Sequence, residues 1–234
     1  MSSPHRSVLI IGASKGLGQA LAARYLELGS RVVATVRGEA RTPLHELLAT
    51  STAADNLEIE HVDITEADQV DALRTRLDGR RFDLLFVNAG VTSSPEETTA
   101  TVTTEEFTRL MVTNALSPLR VIETLGDLVP PEGTIAVMSS RQGSIAANTR
   151  GGFEIYRASK SALNQLMRSY AARHADDPRT LILMAPGWIK TDLGGENAPL
   201  TIDESIPSVV ATLDAQHGAG GLQFLSYLGE TVPW

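Results

Sequence analysis

The chain contains no cysteine, which rules out disulfide frameworks and metal sites built on thiolates, and permits a reducing compartment. No apolar run approaches the roughly 20 residues that cross a bilayer, so no membrane span is expected. The opening "MSSPHRSVLIIGASKG" has only the short apolar run Val8 to Ile11 before a glycine, unlike a secretory signal, and a cytoplasmic location follows as the default. Positive charge is in deficit: 20 Lys and Arg face 28 Asp and Glu, a formal net charge of −8. That disfavours broad electrostatic binding to nucleic acid or acidic lipid and leaves an anionic ligand only a small, dedicated basic site. The histidines, His5, His45, His61, His174 and His217, are scattered without ligand spacing, so no metal is expected.

What remains is an ordinary globular composition, 42% hydrophobic and 21% charged over 234 residues, enough for one domain with a sizeable core. Short apolar runs alternate with helical patterns. "SVLII" leads through a glycine turn into "KGLGQALAARYLELG", whose Leu17, Ala20, Leu21 and Leu28 spacing predicts a helix closed by Gly29. Then follow "RVVATV", "PLHELLAT", "LEIEHV", "EADQVDALRTRL", "FDLLFVN", a long helical stretch over Glu105 to Leu125, "GTIAVMSS", a helix carrying Tyr156, "RTLILMAP", a helix within Asp203 to Gln216, and "LQFLS". Strands alternating with helices, with few hairpin signals, predict an α/β fold: a single doubly wound domain of Rossmann type, with a mostly parallel seven-stranded sheet between helices. Ligands in such folds bind outside the carboxyl ends of the strands. The expected division is a cofactor half over about 1–130 and a catalytic and substrate half over about 131–234, within one domain spanning 1–234. Gly194 to Pro199 and Gly218 to Gly221 read as turning or mobile segments.

"GASKGLG" places Gly12, Gly16 and Gly18 where the first strand becomes the first helix. Glycines there let backbone approach a pyrophosphate, and the helix N-terminus offers free amides; a tight turn without a ligand is the other reading. Lys15 lies in this loop and Arg37 just after the second strand, where an acid would bind the ribose hydroxyls of NAD. The text is "ATVRGEA", with no acid before Glu39. Two cations suit a ribose phosphate, which favours NADP(H) over NAD(H), against the alternative of two solvated surface charges.

"GASKGLG", "VNAG" at Val87 to Gly90, "SS" at Ser139 and Ser140, "YRASK" at Tyr156 to Lys160 and "PGWIKT" at Pro186 to Thr191 occur in the order of the classical short-chain dehydrogenases/reductases. "SSRQGSI", "GGFEIYRASKSALN", "PGWIKTDLGG", "APL" and "GETVPW" resemble its C-factor-like and sniffer-type carbonyl reductase branch. No single motif decides the matter; their joint order does.

Tyr156 and Lys160 share a helix face, as any residues four apart do. Carbonyl reduction by hydride needs a proton donor at the developing alkoxide. A tyrosine starts near a pKa of ~10, and a neighbouring ammonium favours its phenolate. Tyr156 is thus the expected acid/base and Lys160 its tuner; the resemblance implies the same, with the lysine also holding the nicotinamide ribose. The resemblance further implies a serine that hydrogen-bonds the substrate oxygen. The spacing usual in the family falls on Gly143, which has no hydroxyl; Ser140, sixteen residues before Tyr156, is taken instead, with Ser139 as the rival if the register slips. Asn114 matches an asparagine whose backbone holds a water linked to the lysine. As a poor interior helix residue it fits a local distortion.

By the same resemblance Ser14 and Leu17 join the phosphate loop, Asp63 and Ile64 meet the adenine, and Asn88, Ala89 and Gly90 line the adenosine side. Pro186, Gly187, Ile189 and Thr191 approach the nicotinamide carboxamide. "DITEAD" around Asp63 also reads as plain helix capping. The segment Asp192 to Ser205, expected to close over substrate, is short, rich in Gly and Pro, and expected to be mobile when empty. The implied activity is reversible hydride transfer between NADPH and an aldehyde or ketone of modest size, the partners being small-molecule carbonyls or alcohols. A homodimer or homotetramer through the two long helices is implied as well. Two other readings stay open: an NAD(P)(H)-binding signalling or regulatory protein with little turnover, and, least favoured, a doubly wound protein binding another nucleotide.

Overall fold

A computed structural model gives the structure of residues 6–234, so His5 lies outside the described residues. Seven strands alternate with helices: β1 (Ser7–Ile11), α1 (Gly16–Glu27), β2 (Arg31–Val36), α2 (Pro43–Thr50), β3 (Leu57–His61), α3 (Ala67–Arg76), β4 (Leu84–Val87), α4 (Thr104–Met111), α5 (Ser117–Leu125), β5 (Thr134–Met138), α6 (Glu154–Arg173), β6 (Thr180–Ala185), α7 (Ile202–Ala215) and β7 (Gly221–Ser226). They form one sheet in the order β3-β2-β1-β4-β5-β6-β7. Every neighbouring pair is parallel, where the sequence pattern predicted a mostly parallel sheet. The chain winds outward from β1 to β3, then returns to β4 and winds the other way. At that reversal the connections leave β1 and β4 in opposite directions and open a crevice at their carboxyl ends.

The period of two along each strand divides the core into two layers. Leu9, Ile11, Leu85, Val87, Ile135, Val137, Leu181 and Leu183 face one way and pack with α3, α5 and α6 through Val70, Leu73, Ile122, Leu125, Leu163 and Met167. Val8, Ile10, Leu84, Phe86, Ala136, Met138, Ile182 and Met184 face the other way, towards Leu21 and Tyr25 of α1, Leu44 of α2, and Val209 and Leu213 of α7. Burial on both faces explains why the central strands read as unbroken apolar runs. No described helix is long and apolar enough to cross a membrane.

The helical stretch predicted over Glu105 to Leu125 is interrupted. Between α4 and α5 the residues Val112–Leu116 form a π turn. Pro118, at the start of α5, has no N–H to donate back into the helix, and a π turn is a common way of absorbing such an irregularity. Asn114 is in that turn, completely buried.

At the β1–α1 turn, a Cβ on Gly18 would lie 2.2 Å from the Gly12 carbonyl oxygen and 2.6 Å from Asn88 Nδ2. Gly18→Ala is therefore expected to destabilise the fold by about 1–3 kcal/mol through overpacking, read as a lowered Tm. Gly38→Ala, with open space around its Cβ position and no positive φ, serves as the control that leaves Tm nearly unchanged.

Candidate active site

The turn from β1 into α1 is held from both sides. The Gly12 N–H donates to Thr35 Oγ1 of β2 at 2.9 Å, and Asn88 Nδ2, after β4, donates to the Gly12 carbonyl at 2.6 Å. Gly12 has φ +88°, and a Cβ there would meet Ala89 at 2.8 Å. Gly12 and Gly18 are thus demanded by packing. Gly16 is different: it has φ +60° and open space where a side chain would point. Lys15 sits at the N-cap of α1, whose first turn has neither a side-chain cap nor an acid. Its leading amides are free for an anion. Ser14 is half-buried beside them, and Leu17 leans onto the core below.

At the carboxyl end of β5 the two serines separate. Ser139 is buried and its hydroxyl donates to Asn164 Oδ1 of α6 at 2.6 Å. Ser140 caps the 3₁₀ turn Arg141–Gly143, accepting from the Gln142 N–H at 3.1 Å, and lies beside the Tyr156 phenol. Gly143, where the family's usual spacing would place a serine, is pressed onto α6: a Cβ there would be 2.9 Å from Asn164 Nδ2 and 3.0 Å from the Lys160 carbonyl. Its own carbonyl accepts from Ser161 Oγ and Asn164 Nδ2. The loop that follows reaches α6 through Gly151, Gly152 and Phe153, all with positive φ. Phe153 is no glycine, and its left-handed backbone carries a steric cost. It packs with Val91, Leu110, Ile155 and Tyr156, which fixes the first turn of the helix.

Tyr156 and Lys160 are 9% and 3% exposed. Burial pushes the phenol up to about 12, opposed only by the Ser140 hydroxyl, which favours the phenolate. Lys160 Nζ donates to the Met138 carbonyl at 2.8 Å and stands 6.0 Å from the Tyr156 ring centre. The same burial takes Lys160 down to about 8. Asn114 ties the site together: Oδ1 accepts from the Val91 N–H at 2.8 Å, while Nδ2 donates to the Val91 carbonyl at 2.8 Å and to Ser159 Oγ at 3.0 Å. Ser159 in turn donates to the Tyr156 carbonyl. Gly90 lies between, its Cβ position 3.3 Å from Asn114 Oδ1 and 3.5 Å from Lys160 Nζ.

The remaining expected residues line the rest of the carboxyl edge. Ala89 donates to the Ile11 carbonyl beside Asn88. Arg37 is exposed, with no hydrogen bond or ion pair among the described residues. Asp63 follows β3, with Oδ1 taken up by the Thr65 N–H and hydroxyl, so its local turn role is real; Ile64 is buried in the core. After β6, the Pro186 carbonyl accepts from Ser205 Oγ at 2.7 Å, Gly187 has φ +97°, Ile189 is buried and bridges Leu200, and Thr191 Oγ1 accepts from the Gly194 N–H at 3.0 Å. Trp188 Nε1 donates to the Gly194 carbonyl. The segment beyond Asp192 is thus folded back by hydrogen bonds. Thr35, Ser159, Asn164 and Asp192, which holds Lys15 in an ion pair, were not singled out in the sequence. Thr35 could have been found as the only polar side chain between the ends of an otherwise apolar strand, Ser159 and Asn164 as polar residues on the Tyr156 face of α6.

No three His, Asp or Glu side chains gather among the described residues to hold a metal. The uncapped helix end, the open space at Gly16 and the unpaired Arg37 do fit a phosphorylated dinucleotide lying from β2 to Lys160. Residues 6–199 match the family model for short chain dehydrogenase. A short-chain dehydrogenase/reductase of Burkholderia multivorans with bound NADP is 55% identical, with a TM-score of 0.96 over 99% of this chain and 100% of that one. The carbonyl reductase Sniffer of D. melanogaster is 29% identical, with a TM-score of 0.88 over 99% of this chain and 100% of that one. The C-signal of Myxococcus xanthus is 36% identical over 154 residues, 65% of this chain and 92% of that protein. A family model spanning most of the chain, joined to neighbours that superpose along nearly all of it, makes this protein an oxidoreductase of the short-chain dehydrogenase/reductase family, of the C-factor and sniffer type.

Proposed function

We propose that the protein is an NADP(H)-dependent carbonyl reductase that interconverts an aldehyde or ketone of modest size and its alcohol. The observation that carries this reading is the placement of the Ser140 hydroxyl beside the buried Tyr156 phenol, one turn of α6 from Lys160. The NADP bound to the Burkholderia neighbour and the carbonyl reductase activity named for Sniffer support it.

When bound, the nicotinamide supplies the hydride. Ser140 Oγ accepts from the Gln142 N–H, and its single proton, given to the Tyr156 oxygen when no carbonyl is present, turns to the substrate carbonyl when one arrives. Tyr156, kept protonated by burial, gives its proton to the alkoxide as it forms. The phenolate left behind sits in a desolvated site, where the Lys160 ammonium is the cation close enough to stabilise it. Gly12, Ser14, Gly16, Leu17 and Gly18 present the helix amides to the pyrophosphate. Lys15 and Arg37 take the ribose phosphate, and Asp63, Ile64, Asn88, Ala89 and Gly90 border the adenosine. Pro186, Gly187, Ile189 and Thr191 orient the carboxamide.

The C-signal relative favours a second reading, a nucleotide-binding signalling protein with little turnover. Tyr156→Phe separates the two: carbonyl-dependent NADPH oxidation should fall about 10²–10⁴-fold, with NADPH binding, followed by fluorescence, retained. Unchanged reduction would sink the reductase mechanism, and absent turnover in the parent protein across aldehydes, dicarbonyls and quinones would favour the second reading.

Reduction needs both the phenol and the ammonium protonated. Lys160 loses its proton first, so kcat/KM for reduction should be flat at lower pH and fall as pH rises through about 8. A profile level well past that value would show that the lysine's charge is dispensable. Arg37→Ala should raise the KM for NADPH roughly 10- to 100-fold, the worth of one charge-assisted hydrogen bond, and leave that for NADH unchanged; equal effects on both cofactors would remove Arg37 from the ribose phosphate.

A further inference from the structure

The two cations offered to the ribose phosphate are in different states. Arg37 is exposed and unpaired among the described residues. Lys15 is engaged: its Nζ lies 2.5 Å from Asp192 Oδ2, with the two side chains 65% and 80% exposed. The partners are 177 residues apart. Lys15 leads into α1 from β1, Asp192 follows β6, and β4 and β5 lie between those strands in the sheet, so the pair spans the carboxyl edge where the dinucleotide is proposed to lie. Asp192 is held there by its own loop. Thr191 Oγ1 caps the Gly194 N–H, Trp188 Nε1 grips the Gly194 carbonyl at 2.7 Å, and the Lys190 N–H donates to the Leu200 carbonyl at 2.8 Å.

A phosphate brought to Lys15 arrives next to a carboxylate that already claims the same ammonium. Two anions sharing one cation repel, and each weakens the other's hold. NADH makes no such demand, because it lacks the ribose phosphate. We infer that Asp192 is a specificity-determining residue for the cofactor: by pairing with Lys15 it competes with the 2′-phosphate and lowers the chain's preference for NADP(H) over NAD(H). Asp192 acts through Lys15 and is a positioning residue. The inference rests on the NADP(H) reading and on Lys15 meeting the phosphate.

The test is a double-mutant cycle on dissociation constants for NADPH and for NADH, with the parent protein, Asp192→Asn, Lys15→Ala and the double variant. Asp192→Asn should tighten NADPH about two- to fivefold, the range for releasing an exposed ion pair, leave NADH unchanged, and have no effect on NADPH once Lys15 is alanine. The gain should also shrink as salt is raised. Equal tightening of both nucleotides would mean that Asp192 merely repels the shared pyrophosphate, and a gain surviving in the Lys15→Ala background would mean it does not act through Lys15; either overturns the assignment, as does no change or weaker NADPH binding in Asp192→Asn. The cofactor reading stands apart: a parent protein that prefers NADPH and loses that preference in Arg37→Ala, alongside a neutral Asp192→Asn, removes only the role of Asp192. Equal binding of the two nucleotides by parent and Asp192→Asn alike removes both.

Discussion

A single buried amide, that of Asn114, holds three separate parts of the chain at one point. Its oxygen and nitrogen close a pair of hydrogen bonds on the backbone of Val91 after β4, and its nitrogen also reaches Ser159 on α6. With no exposure to solvent, none of these bonds can be replaced by water, and leaving any of them unmade carries the full desolvation cost of a polar group. The π turn is what delivers the side chain there, because widening the helix by a residue rotates Asn114 away from the face a regular α-helix would present. Ser159 then passes the restraint to the Tyr156 carbonyl, and the crevice at the carboxyl edge of the sheet acquires a defined wall.

The electrostatics of the site follow from that enclosure. Tyr156 and Lys160 lie four residues apart on one buried face, and burial moves both towards their neutral forms: the phenol upward, the ammonium downward. The Lys160 charge is solvated by a carbonyl, that of Met138, instead of by a carboxylate. A carboxylate partner would have raised the lysine's pKa and cancelled its field at the phenol. A carbonyl anchors the ammonium and leaves its charge to act on whatever negative charge develops nearby. Outside the crevice the logic reverses, since the Lys15 and Asp192 side chains stand in water and their pairing is weak enough to be exchanged.

Much of this was readable one residue type at a time. Parallel strands buried on both faces leave runs such as Val8 to Ile11 and Leu84 to Val87 with no polar alternation, and the helices between them keep the period of a one-sided face. Asn114 was legible as a misfit in a helix, and the misfit became a π turn. The choice between Ser139 and Ser140 was not legible, because adjacent strand residues point to opposite faces and the register of β5 decides which enters the crevice. The structure gives Ser139 to Asn164 and Ser140 to the phenol. Gly143 shows the same limit: its missing hydroxyl was plain, whereas the reason no side chain fits there, α6 lying against it, is a tertiary fact.

The sequence by itself determined the alternation of strands and helices, the parallel sheet it implies, and the presence of a tyrosine and a lysine on one helix face, because these depend on local periodicity and on the steric habits of single residues. The tertiary structure alone decided that Tyr156 and Lys160 are buried deeply enough for desolvation to push both towards their neutral forms, that two of the turn glycines answer to packing while Gly16 faces open space, and that Lys15 is claimed by a carboxylate 177 residues away. Desolvation, close approach and ion pairing each depend on the distance between atoms far apart in the chain, and that distance exists only once the sheet has closed its order.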